Sequence, residues 1–597
     1  MTVQSVSTVT VNPVGTVDEA ASASTAAPGN DKEVIFVGQS GNYTVLEGTT
    51  VIRGISSNKG EGRDSLDTIA IVKNDENAKK LRKLDANGAT VLSDARVIID
   101  SEARAAMAAL ADSDKLTLKG NKNENLIELP PRQHERVEYP LMKLSTTDTP
   151  LEPPKKGAKH VLILGAGVSG LMVAWMLLDK GYRVTIFADD WAWTRDFKRS
   201  RMTSQIAGAL WEFPPGGCGL TEIEAAGNGW ATVEHYQEWA LQSYEFYHKY
   251  DTEISNPHER DGSSLGLRFA DLHQFFYGTL TGLSTEGNDE APEEGDDEDL
   301  GEEEKKLKAI KIAHAKNRMP GSRLKKYGDL STSAEFKTED IVDLKKTGLK
   351  SGYTHRAPIL NTDKAMGYLM ALVKAKGANL ETRTFKYESE TGSILDDGNQ
   401  LLEDHDGDAI VNATGLGAGK LMNDKDVYPV RGAVLRVDNT RKGHFRHLND
   451  AYLVPAQKDA NDFPTKTIFI VPRSDDVLYV GSIIQPNNYD KSLTPESPEV
   501  ETMWERAGDF IPRLRHAGLV PEYSFAQGLR PFSKKNAKVR AEETDRFRLV
   551  HNYGHGGSGW TLGIGTARCA VLLLEKMLAV DKKFKETAKS ANKNLYG

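Results

Sequence analysis

The chain has 597 residues, enough for two or more domains with sizeable cores, and 39% of its positions are hydrophobic, as in an ordinary globular protein. Its net charge of −9 is local: twelve acids and no base stand between 286 and 304, and the remainder sums to +3, which excludes a basic nucleic-acid groove. Two cysteines, Cys218 and Cys569, exclude a disulfide framework and a cysteine-only zinc site.

In chain order, residues 1–31 are mostly Ser, Thr, Ala and Val and read as a disordered tail. No base precedes Lys32 and no apolar segment lies there, which argues against a secretory or transit peptide. The C-terminal Asn594–Gly597 is no peroxisomal signal, so a cytoplasmic protein is expected. Residues 32–119 hold strand-like pieces (VIFVGQ, TVLEGTTVI, TIAIVK) and an alanine-rich helix near 102–111, a small module without a legible motif. Residues 120–158, with Pro130-Pro131 and Pro153-Pro154, read as a linker. Val161–Leu178 is uncharged, but Gly165, Gly167 and Gly170 punctuate it, and a strand followed by a helix explains it better than a membrane span.

That strand, His160–Leu164, is an apolar run of the kind buried on both faces of a parallel sheet. Gly165-Ala166-Gly167-Val168-Ser169-Gly170 opens a helix that Gly181 closes, and Arg183–Ala188 makes a second strand ending at Asp189. The first glycine permits the tight turn, the second lets backbone approach a pyrophosphate, and the third lets helix pack on strand. The helix end offers N–H groups to phosphates, and Asp189, or its neighbour Asp190, would accept from a ribose hydroxyl. Strand, helix, second strand and acid together specify a dinucleotide site, without separating NAD from FAD.

Farther on, 284–330 is a charged insert, acidic and then basic, expected to be a solvated loop. Asp408–Gly415 reads as a buried strand ending in a Thr414-Gly415 turn, suited to the middle of a long dinucleotide such as FAD. Gly419-Lys420 imitates a Walker lysine, but Thr414 stands where a glycine is required and Leu421 replaces the magnesium-binding hydroxyl, which disfavours an NTPase.

The run HNYGHGGSGWT, 551–561, admits several readings. His551 and His555 would share a face only on a helix, which Gly554, Gly556 and Gly557 forbid, so no metal site is expected. Trp560 occupies the last glycine of a nucleophile elbow, leaving Ser558 a poor nucleophile. What remains is a close-approach loop entering a helix N-terminus, suited to a flat, partly anionic group such as a flavin pyrimidine edge.

Together, SQIAGALWEFPP (204–215), GLRP (528–531) and HNYGHGGSGWT resemble the D-amino-acid oxidase family of FAD enzymes, over about 158–580 and apart from the insert. The resemblance implies that Thr203 and Ser204 meet the FAD phosphates and ribityl chain and that Ala209 and Leu210 line the flavin face. It implies that Gly559, Trp560 and Thr561, with Ser558, hold the flavin O2 edge, that Gly557 faces the substrate amine, and that Arg530 clamps the substrate carboxylate. A guanidinium suits that task because it matches a carboxylate bidentately. The sequence departs from the family where Phe469 and Thr465 replace two tyrosines near the substrate carboxylate. Tyr452 is then the candidate substitute, and Glu212 stands where the family has a glutamine.

The expected fold is α/β plus α+β: a doubly wound, Rossmann-like FAD domain (159–235, 355–427, 526–580) and a mixed or antiparallel-sheet substrate domain (236–354, 428–525). A C-terminal tail (581–597) follows. The implied reaction is oxidative deamination of an amino acid, most readily a D-amino acid, with noncovalent FAD, molecular oxygen as acceptor and hydrogen peroxide as product. The alternatives are a flavin enzyme acting on a secondary amine or specialised metabolite, and a non-catalytic flavin-bound scaffold. No nucleic-acid or membrane partner is expected.

Overall fold

In the computed structural model, the described residues are seven strands between 7 and 99, together with 126–129, 132–134, 137–139, 141–192, 201–214, 229–254, 265–280, 301–327, 330, 342–385, 393–440, 445, 447–458, 464–521, 523–581 and 583–596. They fall into two units, 1–117 and 118–597.

In the first unit, Ser7–Thr10 and Val14–Val17 pair antiparallel with Glu33–Phe36 and Tyr43–Leu46. Two of these strands fall within 1–31, the stretch expected to be a disordered tail, where 7–10 and 14–17 are the described residues; Val and Thr suit a ladder. Thr49–Ile55, Leu66–Val72 and Ala95–Ile99 form a three-stranded sheet. The expected helix at 102–111 lies outside the described residues.

The second unit is built on two sheets. His160–Leu164 is the centre of a five-stranded parallel sheet in the order Asn379–Thr382, Arg183–Ala188, His160–Leu164, Ala409–Asn412, Leu549–His551. Val161 and Ile163 join one apolar cluster while Leu162 and Leu164 join another, so the strand is buried on both faces, as a continuous apolar run requires. The helix Val168–Asp179 packs on one face beside a long C-terminal helix, Gly559–Leu578. The second sheet has nine strands and is mixed: Leu267–Phe276 pairs parallel with Ala451–Val454, and the other ladders are antiparallel. The expected domain boundaries at 354/355 and 525/526 meet strands Ser351–Leu360 and Phe525–Ser533, which both lie whole in this larger sheet.

Three stretches expected to be peripheral are packed. Leu126–Leu129 pairs with Met142–Ser145, and Ile127, Leu129, Met142 and Leu144 are buried in the main core, so this part of the expected linker, 120–158, is packed. Its anchor is the fully buried Asp179, whose carboxylate accepts from Ser145 N (2.7 Å), Leu151 N (3.1 Å), Trp175 Nε1 (2.9 Å) and Lys376 Nζ (2.6 Å). The presumed C-terminal tail is a helix, Phe584–Tyr596, whose Asn592 exchanges two hydrogen bonds with the backbone of Ala541.

The charged insert, expected to be a solvated loop, is packed over its described helix. Residues 302–315 form a helix in which Leu307, Ile310 and Ala313, three residues apart, are buried in the main core. Arg318 forks onto Glu238 (2.9 Å) and Glu245 (3.1 Å), and Lys325–Tyr327 forms the edge of the large sheet. Composition concealed this, because the lysines between the apolar positions dominate the stretch while the buried stripe is narrow. Ile310→Ala should therefore cost about 2–5 kcal/mol, seen as a clear drop in thermal midpoint, where a solvated loop would give a change within about 0.5 kcal/mol.

Candidate active site

The three glycines after His160–Leu164 meet different surroundings. Gly165 has φ +105°, and a Cβ there would lie 2.5 Å from the Ala413 carbonyl oxygen. A Cβ on Gly170 would lie 2.0 Å from the Gly165 oxygen. Both are glycine because the chain itself crosses there. A Cβ on Gly167 would meet only the Ser204 hydroxyl, at 3.3 Å. Gly167 therefore fronts a cradle that a side chain would fill, which fits a pyrophosphate approaching the N-terminus of Val168–Asp179. Asp189, at the exposed end of the second strand, accepts from Thr384 Oγ1.

The segment 203–210 joins the two sheets. Ser204 Oγ accepts from Val168 N (3.1 Å), and Ser204 O accepts from Trp560 Nε1 (2.9 Å). Thr203 Oγ1 donates to Leu529 O (3.2 Å), on the strand that carries Arg530. Ala209 has φ +46°, a left-handed conformation costly for a residue with a Cβ; its carbonyl accepts from Leu360 N, and Leu210 bridges Ile359. Arg473, buried and unforeseen, holds the turn from above: its guanidinium donates to the carbonyls of Gln205 (3.2 Å), Gly208 (3.2 Å) and Leu360 (2.8 Å). An arginine directly after the apolar strand Ile468–Pro472 is its sequence signal.

Arg530 lies beside the glycine-rich loop, because Gly556 N donates to Pro531 O (2.9 Å) and Phe532 bridges His555. Gly415, φ +56°, packs on Pro531 from the other side. The guanidinium donates to Ser482 Oγ (2.7 Å) and Ile483 O (3.1 Å) and covers Gly432, where a Cβ would lie 2.3 Å from Nη1. Among the described residues no carboxylate forms an ion pair with it. Ser482, Ile483 and Gly432 carried no motif and emerge only from strand register.

The loop ends at exposed Gly557 and at Ser558, and the helix Gly559–Leu578 begins there with Trp560 and Thr561 in its first turn. Its start abuts the start of Val168–Asp179, with a Cβ on Gly559 3.6 Å from Val168 Cγ1 and Ser169 Oγ 3.4 Å from His555 Nδ1. Two positive helix ends thus meet, an arrangement that favours an anion. Burial holds the His555 imidazole down at about 4, neutral between them. His551, also buried, bonds Glu542 (2.7 Å); that bond, chiefly, brings the carboxyl down to about 2, so the proton resides on Nε2.

The remaining candidates separate. Phe469 lies against the 205–210 segment, its ring where a Cβ on Gly208 would stand. Tyr452 does not join it. It pairs with Ile470 while Leu453 pairs with Phe469, so its ring points to the opposite face, stacked on His273 and packed near Phe510. Strand alternation thus sets Tyr452 and Phe469 on opposite faces of the sheet. Thr465 sits in a separate hairpin and donates to Gln457 O. Glu212 is paired in the interior with Lys306 (2.7 Å) and Gln274 (3.1 Å). No helix among the described residues is long and apolar enough to cross a membrane.

A parallel sheet with a glycine cradle at its helix start, joined to a second, mixed sheet that carries an arginine, is the architecture of an FAD-dependent oxidoreductase. The family model described as DAO, FAD dependent oxidoreductase, matches residues 160–573, and the chain belongs to this D-amino-acid oxidase family, with FAD as its cofactor. A D-amino-acid oxidase of Streptomyces coelicolor is 28% identical over 433 residues, 71% of this chain and 99% of that protein. D-aspartate oxidase 1 of Caenorhabditis elegans is 30% identical over 265 residues, 43% of this chain and 70% of that protein. A solved glycine oxidase from Bacillus cereus overlays with a TM-score of 0.45 at 17% identity, covering 72% of this chain and 98% of that one.

The glycine surroundings predict different outcomes for similar substitutions. Gly167→Val should fold yet lose FAD, measured by flavin absorbance after gel filtration, whereas Gly165→Ala should lower the thermal midpoint of the cofactor-free protein. Full flavin content in Gly167→Val would exclude the cradle.

A second expectation concerns pH. Burial holds both His355 and His555 at about 4, against about 6.5 for a free imidazole. Between those values the unfolded chain binds protons that the folded chain does not. Stability is therefore full above pH 6.5 and declines as pH falls toward 4, by about 3 kcal/mol per histidine at most. Thermal midpoints at pH 7.5 and 4.5 should differ accordingly, and less so in His555→Gln.

Proposed function

We propose that the chain oxidatively deaminates an amino acid, most readily a D-amino acid, to the 2-oxo acid and ammonia, with oxygen reduced to hydrogen peroxide. The observation that carries this reading is Arg530: a guanidinium without a carboxylate partner among the described residues, aimed by Ser482 and Ile483, on the strand joined to the loop at Gly556. When bound, FAD supplies a hydride acceptor. The protein supplies orientation: Arg530 holds the substrate carboxylate, Gly557 leaves room for the amine, and Phe469 and Leu210 present apolar surface that excludes water. Hydride transfer needs reacting atoms within about 3–3.5 Å, so catalysis rests on this positioning, and the chemistry requires no side-chain acid or base for an amine that enters neutral. FAD is held noncovalently, by the cradle at Gly167 and Ser204, the turn at Gly415 and the helix start at Gly559–Thr561.

Preference for the D-hand draws support from the relatives named as D-amino-acid and D-aspartate oxidases. A second reading, a secondary amine as substrate, is favoured by one feature: Phe469 offers no hydroxyl where a carboxylate-binding tyrosine is familiar.

Arg530→Ala should lower kcat/KM for an amino acid by about 30-fold to several thousand-fold, as expected for losing one partner of a desolvated charge pair. FAD affinity should not change, and Arg530→Lys should fall between. The same variants assayed with the matching amine lacking a carboxylate should show little effect. Equal damage to both substrates would make Arg530 structural and reject amino-acid recognition.

A further inference from the structure

One side chain of the charged insert reaches the segment 209–212. Lys306, on the buried stripe of the helix Glu302–Ala315, places Nζ 2.7 Å from Glu212 Oε1, and the two side chains are 5% and 13% exposed. Gln274 Nε2 donates to the same oxygen at 3.1 Å, while Tyr353 OH donates to Gln274 Oε1 at 2.7 Å and so fixes which way that amide points. His355 stands nearby, 5.9 Å from the Trp211 ring, and burial keeps it neutral, so it offers Glu212 no compensating charge.

Glu212 ends the segment read as the flavin wall. Ala209 and Leu210 are tied to Leu360 and Ile359; Trp211 N donates to Pro358 O and its Nε1 to Ala240 O, both at 3.0 Å. The Glu212 carboxylate is the next anchor along the chain, and an unneutralised carboxylate there is costly twice. It is poorly solvated, and it opposes the negative charge of an anionic reduced flavin.

We propose that Lys306 is a positioning residue of the flavin site: by neutralising Glu212 it anchors the Ala209–Glu212 wall and removes a buried negative charge from behind the flavin. The insert is then a working part of the cofactor site. This rests on reading Ala209 and Leu210 as the flavin wall, and the experiment separates the two ideas.

The holoprotein is compared with Lys306→Met, Glu212→Gln, the double variant and, as a reference for the wall, Leu210→Ala. FAD affinity is read by titrating the cofactor-free protein and following flavin fluorescence; midpoint potential is read against indicator dyes. Lys306→Met should bind FAD at least about tenfold more weakly, because breaking a buried pair strands one charge, and its midpoint potential should move negative. The double variant, with two neutral side chains of similar size, should return affinity to within about twofold of the parent, together with the potential. If Lys306→Met fails to fold, the double variant decides. Recovery supports neutralisation, and a double variant no better than Lys306→Met overturns it. An unaffected Lys306→Met beside a Leu210→Ala that shifts the flavin absorption band places the pair too far from the cofactor and rejects the inference. If neither variant moves the flavin band, the wall reading falls, and the proposal with it.

Discussion

The packing of two helix N-termini against each other is the constraint on which this molecule depends. Val168–Asp179 and Gly559–Leu578 begin side by side, and the partial positive charge at each start repels the other. Local devices make the junction tolerable. Ser204 Oγ accepts from the first N–H of one helix, and its carbonyl accepts from Trp560 of the other. His555 sits beside them as a neutral imidazole, its Nε2 donating to Asn552 Oδ1 and its Nδ1 accepting from Ser169 Oγ. Two helix starts side by side favour an anion between them, and a dinucleotide bound there, as proposed, would relieve the repulsion that is left.

The second sheet is brought to that junction by short direct bonds. Thr203 reaches Leu529, Gly556 reaches Pro531, and Arg473 gathers the carbonyls of the turn 205–208. The arginine proposed to hold substrate is thus set by strand register relative to the loop proposed to hold the flavin ring. A rigid sheet is a better platform for such a distance than a loop, since orientation errors of about 1 Å are costly to catalysis. Buried polar groups recur around this scaffold with their partners in place: Asp179 with Lys376, Arg318 with Glu238 and Glu245, Glu212 with Lys306. Each joins chain segments far apart in sequence, and each is costly to break singly.

Much of the cofactor site was legible in the sequence because its signals are local. A glycine that must admit a turn or a phosphate leaves its mark at a fixed spacing, and an apolar run buried on both faces marks a parallel strand. Gly165, Gly167 and Gly170, the strand in Asp408–Gly415 and the loop in 551–561 are read in this way as candidates. By itself the sequence determined the dinucleotide unit, the order of the motifs and the family resemblance. Tertiary structure alone decided the rest. Tyr452 was proposed for its hydroxyl and nearness in sequence to Phe469, yet alternation along paired strands turns it to the other face. The stretch 284–330 looked solvated because charge dominates its composition, whereas a stripe of Leu307, Ile310 and Ala313 suffices to bury a helix. Residues 120–158 read as a linker in sequence, yet the Asp179 carboxylate gathers donors from 145 and 151 together with 175 and 376. Burial, facing and ion-pair partners are properties of segments that meet only when the chain is folded, and no window along the sequence contains both halves of such a contact.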